Sequence, residues 1–360
     1  MKSHALISGP HAHSMSSVTR VMLLVVLALL PVTVFGLYQF GWPAIFLFLV
    51  TTVSSLAFEA ACLGIAKKPI ARHLLDGSAL LTGWIVALTL PPWAPWWIGV
   101  LGSGIAIVVG KHIYGGLGQN PFNPAMVARV MLLISFPLHM TAWIMPAPLA
   151  STGAPDFFEG LAITFLGNTQ FDAVSQASLL DHVSTELSRG LTLEKILPQT
   201  FSYQDLALGQ VPGAIGETSA LLILIGGVLL IATRTITWHI PVSIIITTAV
   251  LASIFNYIDP SRYPDAIFHL VSGSLMFCAF FIATDYVTSP TAPIAHLIYG
   301  AGIALLIFII RTWAAFPEGV GFAVLFMNAC TPLIDHFIRP RVFGRNRSGK
   351  PLAVAAGGDK

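Results

Sequence analysis

Charge is what this sequence has least of: 9% of its 360 residues are charged, while 55% are hydrophobic. A soluble domain carries roughly 25% charged residues, so a water-covered surface of ordinary composition is excluded. The formal balance is only +2, which offers no basic face to nucleic acid. Cysteine is scarce as well. Cys62, Cys278 and Cys330 are dispersed through apolar runs with no CxxC pair, so a zinc site or iron–sulfur cluster held by this chain alone is excluded, and buried inert thiols are expected. No G-x-G-x-x-G dinucleotide fingerprint occurs either. A chain lacking both that fingerprint and cluster ligands cannot take electrons from NADH directly, so any redox role requires partners.

What the sequence does have is apolar blocks of membrane-spanning length. A helix crossing the hydrocarbon core needs about 20 largely apolar residues. Ten windows qualify: 20–39, 43–64, 77–91, 95–112, 124–143, 218–236, 239–257, 266–284, 294–311 and 319–337. The first lacks a small-residue cleavage site and is followed by more spans, so it reads as a first helix rather than a signal peptide. The third is short and carries Gly77 and Gly83, as expected of a broken helix lining a site at membrane depth. The fold class expected is therefore an all-α integral membrane protein with lipid as its surroundings.

Lysine and arginine bias orients it. With the N-terminus inside, Lys2, Arg20, Lys67, Lys68, Arg72, Lys111, Arg234 and the basic tail from Arg339 onward are cytoplasmic. The outer side then holds only Arg189, Lys195, Arg262 and Arg311. The organisation expected is a cytoplasmic tail (1–19), a first membrane half (20–143), a periplasmic segment (144–217), a second half (218–337) and a cytoplasmic basic tail (338–360). The periplasmic segment carries eight of the sixteen acidic residues. Its stretch Leu179 to Ile196 has helical spacing of apolar residues.

The two halves echo each other. Gly77-Ser78 and Gly273-Ser274 open corresponding windows, proline turns follow (Pro91-Pro92, Ser289-Pro290), then Gly102-x-Gly104 and Gly300-x-Gly302. Asn123-Pro124 and Asn328 to Pro332 mark the last span of each half. Five spans per half makes the repeats inverted, an arrangement that places binding sites between halves.

Charges at membrane depth cost roughly 2.5–3.5 kcal/mol each on insertion scales, so they are the first functional candidates. Glu59, Arg129, Asp285 and Asp335 are the ion-coupling candidates, with Glu59 and Arg129 the deeper two and candidate partners of each other. On the inner side, the segment from Gly110 to Pro124 holds Gly115, Gly116, Gly118, Asn120 and Asn123. Its glycines allow close backbone approach, and Asn123 suits an N-cap with Pro124 at the first helical position. Such a helix start favours a phosphate or a ring carbonyl; tight-turn glycines are the alternative. On the outer side, Ser175 and Ser178 precede the amphipathic stretch. Helix capping is the default for either, since no His/Asp set activates them as nucleophiles.

These residues resemble a known family, RnfD/NqrB: the D-type subunit of the Rnf-type (also Rsx) ion-translocating oxidoreductase and its relative, the B-type subunit of the sodium-pumping NADH:quinone reductase. The likeness covers nearly the whole chain. It runs through Pro10, His11 and His13, the Gly110-to-Pro124 segment with Ala125, Ala128 and Arg129, and Ala283-Thr284-Asp285 with Ser289-Pro290. It continues through Phe316-Pro317-Glu318-Gly319-Val320 to Met327-Asn328 and Pro332-Leu333-Ile334-Asp335. The resemblance implies an FMN held covalently through a phosphoester on a Ser/Thr-x-Ala-Thr motif and attached by a separate flavin transferase. Here the motif reads Ser175-Gln176-Ala177-Ser178, so the implied anchor is Ser178, followed by Leu179 where proline is usual. Tyr286 likewise stands where proline commonly follows Thr-Asp.

The resemblance further implies a non-covalent riboflavin near the inner glycine loop, a bacterial inner-membrane location, and partner subunits A, B, C, E and G. The implied activity is electron passage between NADH and ferredoxin coupled to Na+ or H+ movement, with this chain not catalytic alone. A ten-helix channel or secondary transporter without redox role is the competing class.

Overall fold

In a computed structural model, residues 17–340 are described except 150, 152, 168–174, 177, 194, 197–201, 315 and 317. The His11/His13 tail and most of the basic C-terminal tail thus lie outside the described residues.

Helical segments occupy all ten apolar windows. The first two form one run, α1 (Val18–Ile65), broken at Gly41, whose φ of 72° and ψ of −158° are not helical. The others are α2 (Ser78–Thr89), α3 (Trp96–Gly104), continued by a π-helix over Ile105–His112, and α4 (Pro124–Ser135). After the outer segment, which contributes α5 (Leu179–Ser188), come α6 (Ala220–Ala232), α7 (His239–Ile258) and α8 (Ala266–Val271). Then follow α9 (Leu275–Phe277), continued by a π-helix over Cys278–Ile282, α10 (Pro293–Trp313) and α11 (Val320–Phe337). By length and composition, α1, α7, α10 and α11 suffice to cross a membrane, and the remaining apolar helices are shorter.

Several expectations need correction. The third window is a single continuous helix, begun by Gly77 in the left-handed region (φ 82°); the interrupted window is the eighth, split at Ser272-Gly273, with Gly273 also left-handed (φ 62°). The fifth stops at Ser135 rather than residue 143, because Pro137 supplies no backbone N–H and disfavours helical Phe136. Trp143–Ile144 instead pair antiparallel with Ser175–Gln176, so among the described residues the class is all-α apart from one two-residue strand pair. The amphipathic stretch is helical from Leu179 to Ser188, turns at Gly190 (φ 88°) and is helical again at Leu193, Lys195 and Ile196.

Lipid tails are as apolar as leucine, so close approach at small residues, rather than exclusion of water, holds such helices together. A Cβ on Gly83 would lie 2.4 Å from Ser55 Oγ, and one on Gly99 would lie 2.3 Å from Thr51 Oγ1. These contacts seat α2 and α3 on the second arm of α1. The second half repeats the pattern. Gly300 of α10 lies against Ile240 O and Ser243 of α7, and Ser243 Oγ donates to Leu297 O at 2.6 Å, as Ser103 Oγ donates to Thr51 O at 2.7 Å in the first half. The halves meet where α4 packs on α11 and where α6 packs on α1, with Gly226 against Ala28 O.

Candidate functional site

Two of the three π-helices among the described residues, Ile105–His112 and Cys278–Ile282, end at the same cavity; the third, Ala162–Leu166, lies elsewhere. Wide turns of this kind often mark functional sites because they displace side chains from helical register. The first carries Lys111 and the second leads to Asp285, and between them lies the cavity, of about 790 Å³. Its walls include Ser78, Lys111, Asn120, Asn123, Phe280 and Asp285. Apolar and aromatic walls with a few polar groups are the usual make-up of a small-molecule site.

The inner glycine segment builds one wall. Gly115, Gly116 and Gly118 have φ of 118°, 106° and 86°, so they set the turn, but they do not line the cavity. Leu117, Asn120 and Asn123 do. Asn123 caps α4 by accepting from the Ala125 and Met126 N–H groups at 3.1 and 3.2 Å. Its own N–H meets Asn328 at 2.9 Å in the amide orientation of Asn328 that satisfies all its neighbours, so the two asparagines tie the start of α4 to α11.

Glu59 and Arg129 are not partners. Lys111 Nζ lies 2.9 Å from both Glu59 oxygens and 2.8 Å from Ser78 Oγ, with His112 Nε2 3.0 Å from Glu59 Oε2. Arg129 instead donates to Thr89 O and to Glu318 Oε2 at 3.3 Å, and its guanidinium stands 5.7 Å from the Trp143 ring centre. Sequence reasoning missed Lys111, Ser78, Glu217, Glu318 and Arg311 as site residues. Lys111 carried the available signal, a lysine at the end of an apolar window.

Arg129 and Glu318 border a second cavity of about 360 Å³ with Glu217 and Ser274. Its walls Met126 and Ile282 follow Ala125 and Phe281 of the inner cavity. Glu217 and Glu318 also border an outer cleft of about 400 Å³, with Trp143, Ser178 and Gly273. Gly273 is where the eighth window breaks, and a Cβ there would sit 3.0 Å from Arg311 Nη2 and 3.1 Å from Glu318 Oε1. Arg311 donates to His269 O at 2.9 Å and to Ser272 O at 3.0 Å, closing the break. Glu217 lies in a short turn before α6; burial, then the Glu318 charge, push its carboxyl well above the usual carboxylate range.

Ser178 caps α5, its Oγ accepting from the Asp181 N–H at 3.2 Å, and it is 6% exposed. A phosphoester oxygen at this position remains an acceptor, and the first-turn N–H groups of α5 favour an anion, so the residues fit the phosphate end of an FMN. Ser175 lies in the strand pair and its backbone position is all that is described. Asp285 accepts from the Val287 N–H at 3.3 Å and from Thr288 Oγ1 at 3.2 Å. Asp335 lies away from these cavities and ties α11 to Thr291 through its N–H at 3.0 Å and its hydroxyl at 3.2 Å.

A family model described as the NQR2, RnfD, RnfE family matches residues 5–344. The chain belongs to that family. It is 51% identical to the D-type subunit of the ion-translocating oxidoreductase complex of Halorhodospira halophila, over 97% of this chain and 98% of that one. It is 55% identical to the protein of the same name from Stutzerimonas stutzeri, over 94% of this chain and 96% of the other. To the Rhodobacter capsulatus protein of that name it is 54% identical over 88% of each chain. Family membership together with the apolar helices makes this a multi-pass membrane protein.

Proposed function

We propose that this chain is the flavin-carrying membrane subunit of a redox-driven ion pump. It passes electrons within a complex that works between NADH and ferredoxin while Na+ or H+ crosses the membrane. The observation that carries this reading is the line of three cavities along the contact between halves, from the helix cap at Ser178 to the inner cavity beside Lys111 and Asp285. In this reading Ser178 anchors a covalent FMN, and the inner cavity takes a non-covalent riboflavin. Flavins supply one- and two-electron transfer; the chain supplies their spacing, their shielding from water and the charges around them. The cap at Ser178 fixes the phosphate end, and Trp143 gives the outer cleft an aromatic wall. Glu59, Arg129 and Asp285 are fixed charges able to link a change of flavin charge to cation movement.

The ten helical windows are read as ten crossings in two inverted halves, with both termini cytoplasmic in a bacterial inner membrane. The repeated seating of α3 on α1 and of α10 on α7 supports that symmetry. The partners are subunits A, B, C, E and G and a flavin transferase. A channel or secondary transporter would share the repeat, and flavin content separates the two. After co-expression with a flavin transferase, the denatured protein band should fluoresce under ultraviolet light, and Ser178→Ala should darken it. A dark wild-type band would remove the covalent FMN from the reading.

A further inference from the structure

Lys111 has three ammonium hydrogens, and all three are committed: two to the Glu59 oxygens at 2.9 Å and one to Ser78 Oγ at 2.8 Å. Lys111 is 2% exposed, Glu59 2% and Ser78 4%, so this ion pair is shielded from bulk water. Ser78 is the first residue of α2, so it has no helical carbonyl four residues back to receive its hydroxyl hydrogen. Its N–H goes to Asp76 Oδ1 at 2.7 Å and its carbonyl accepts from Thr82, but among the described residues no acceptor takes the hydroxyl hydrogen. A hydroxyl that accepts from an ammonium is polarised and becomes a stronger donor. Ser78 also lines the inner cavity.

We propose that Ser78, polarised by Lys111, is the donor with which the inner cavity takes a ligand bearing a carbonyl acceptor on a planar ring. Lys111 is a positioning residue that acts through Ser78, and Glu59 holds it in place. The ligand class includes the isoalloxazine ring, so the inference rests on the flavin reading above. A ring that gains negative charge on reduction is held more tightly by this donor, which raises its potential.

Riboflavin alone, titrated into the full chain in detergent, tests this, with binding read from quenching of riboflavin fluorescence and the midpoint potential of the bound molecule read spectroelectrochemically. Ser78→Ala should weaken binding about tenfold and lower the potential, while Ser78→Thr, which keeps the hydroxyl, should retain both. Glu59→Gln removes a negative charge beside Lys111 and should move the potential upward, opposite to Ser78→Ala. If thermal unfolding shows that the Ser78→Ala protein does not fold, Ser78→Cys replaces it, since a thiol is a poor donor of similar size. Binding and potential unchanged in the Ser78 variants, with wild type binding riboflavin, would overturn the role of Ser78. Absence of riboflavin binding by wild type would overturn the reading that the inner cavity takes a flavin.

Discussion

Lys111 Nζ lies midway between the two carboxylate oxygens of Glu59, 2.9 Å from each, joining the second arm of α1 to the π-helix that follows α3. Removing one member of a buried pair strands the other charge, at a cost of about 3–5 kcal/mol, whereas removing both can be nearly neutral. Lys111→Met should therefore lower the thermal unfolding midpoint of the detergent-solubilised chain sharply. Adding Glu59→Gln to it should restore most of the loss. Additive losses in the double variant would show that the pair is not energetically coupled.

Glu217 and Glu318 border the same cavities, and burial, then the Glu318 charge, make the Glu217 carboxyl hold its proton well above the usual carboxylate range. The folded protein therefore binds that proton more tightly than the unfolded chain does. Stability from this group is fully present at acid pH and is lost as pH rises from the ordinary carboxylate range through the raised value. Glu217→Gln removes this contribution while keeping a hydrogen-bonding side chain. Across about pH 5 to 9 the wild-type unfolding midpoint should fall more steeply than that of Glu217→Gln; parallel profiles would contradict the tightly held proton on Glu217.

Two glycines separate packing from backbone conformation. A Cβ on Gly227 would lie 2.3 Å from the Phe280 ring, between α6 and the Cys278–Ile282 π-helix, so Gly227→Ala should cost about 1–3 kcal/mol through overpacking. Gly118 has φ of 86° with nothing within 4 Å of a methyl group added there, so Gly118→Ala should cost only about 1–2 kcal/mol of backbone strain. Riboflavin binding should suffer with Gly227→Ala, because Phe280 walls the inner cavity, and should persist with Gly118→Ala.

The positions of the helices were legible because each apolar window carries its own signal in hydropathy and in its Gly or Pro boundaries, and Gly77 and Gly273 both proved left-handed. The Asn123 cap and the Ser178 cap were legible for the same local reason. Which charged residues meet was not. Glu59 could be matched with Arg129 by depth alone, but the choice of Lys111 depends on the turn of the π-helix and on α1 packing against it, neither of which leaves a periodic trace in the sequence. Glu217 and Glu318 stand outside the apolar windows, so depth could not single them out, although the outer cleft brings them beside Ser178.

Asp285 and Asp335 were equivalent in the sequence, each an acid at the inner end of a span, and the structure gives them different surroundings. Asp285 lines the inner cavity, which Lys111 also lines. Asp335 is half-buried outside that cavity and occupied by the N–H and hydroxyl of Thr291. A charge that senses the occupant of the inner cavity must lie close to it in a region of low dielectric, since distance and screening both weaken the effect. In the assembled complex reconstituted into vesicles, Asp285→Asn should lower the number of ions moved per electron transferred. Asp335→Asn should leave that ratio unchanged while loosening the tie between α11 and the Thr291 turn. An unchanged ratio in Asp285→Asn would remove this residue from ion coupling, and a fall confined to Asp335→Asn would place the coupling acid at the end of α11 instead.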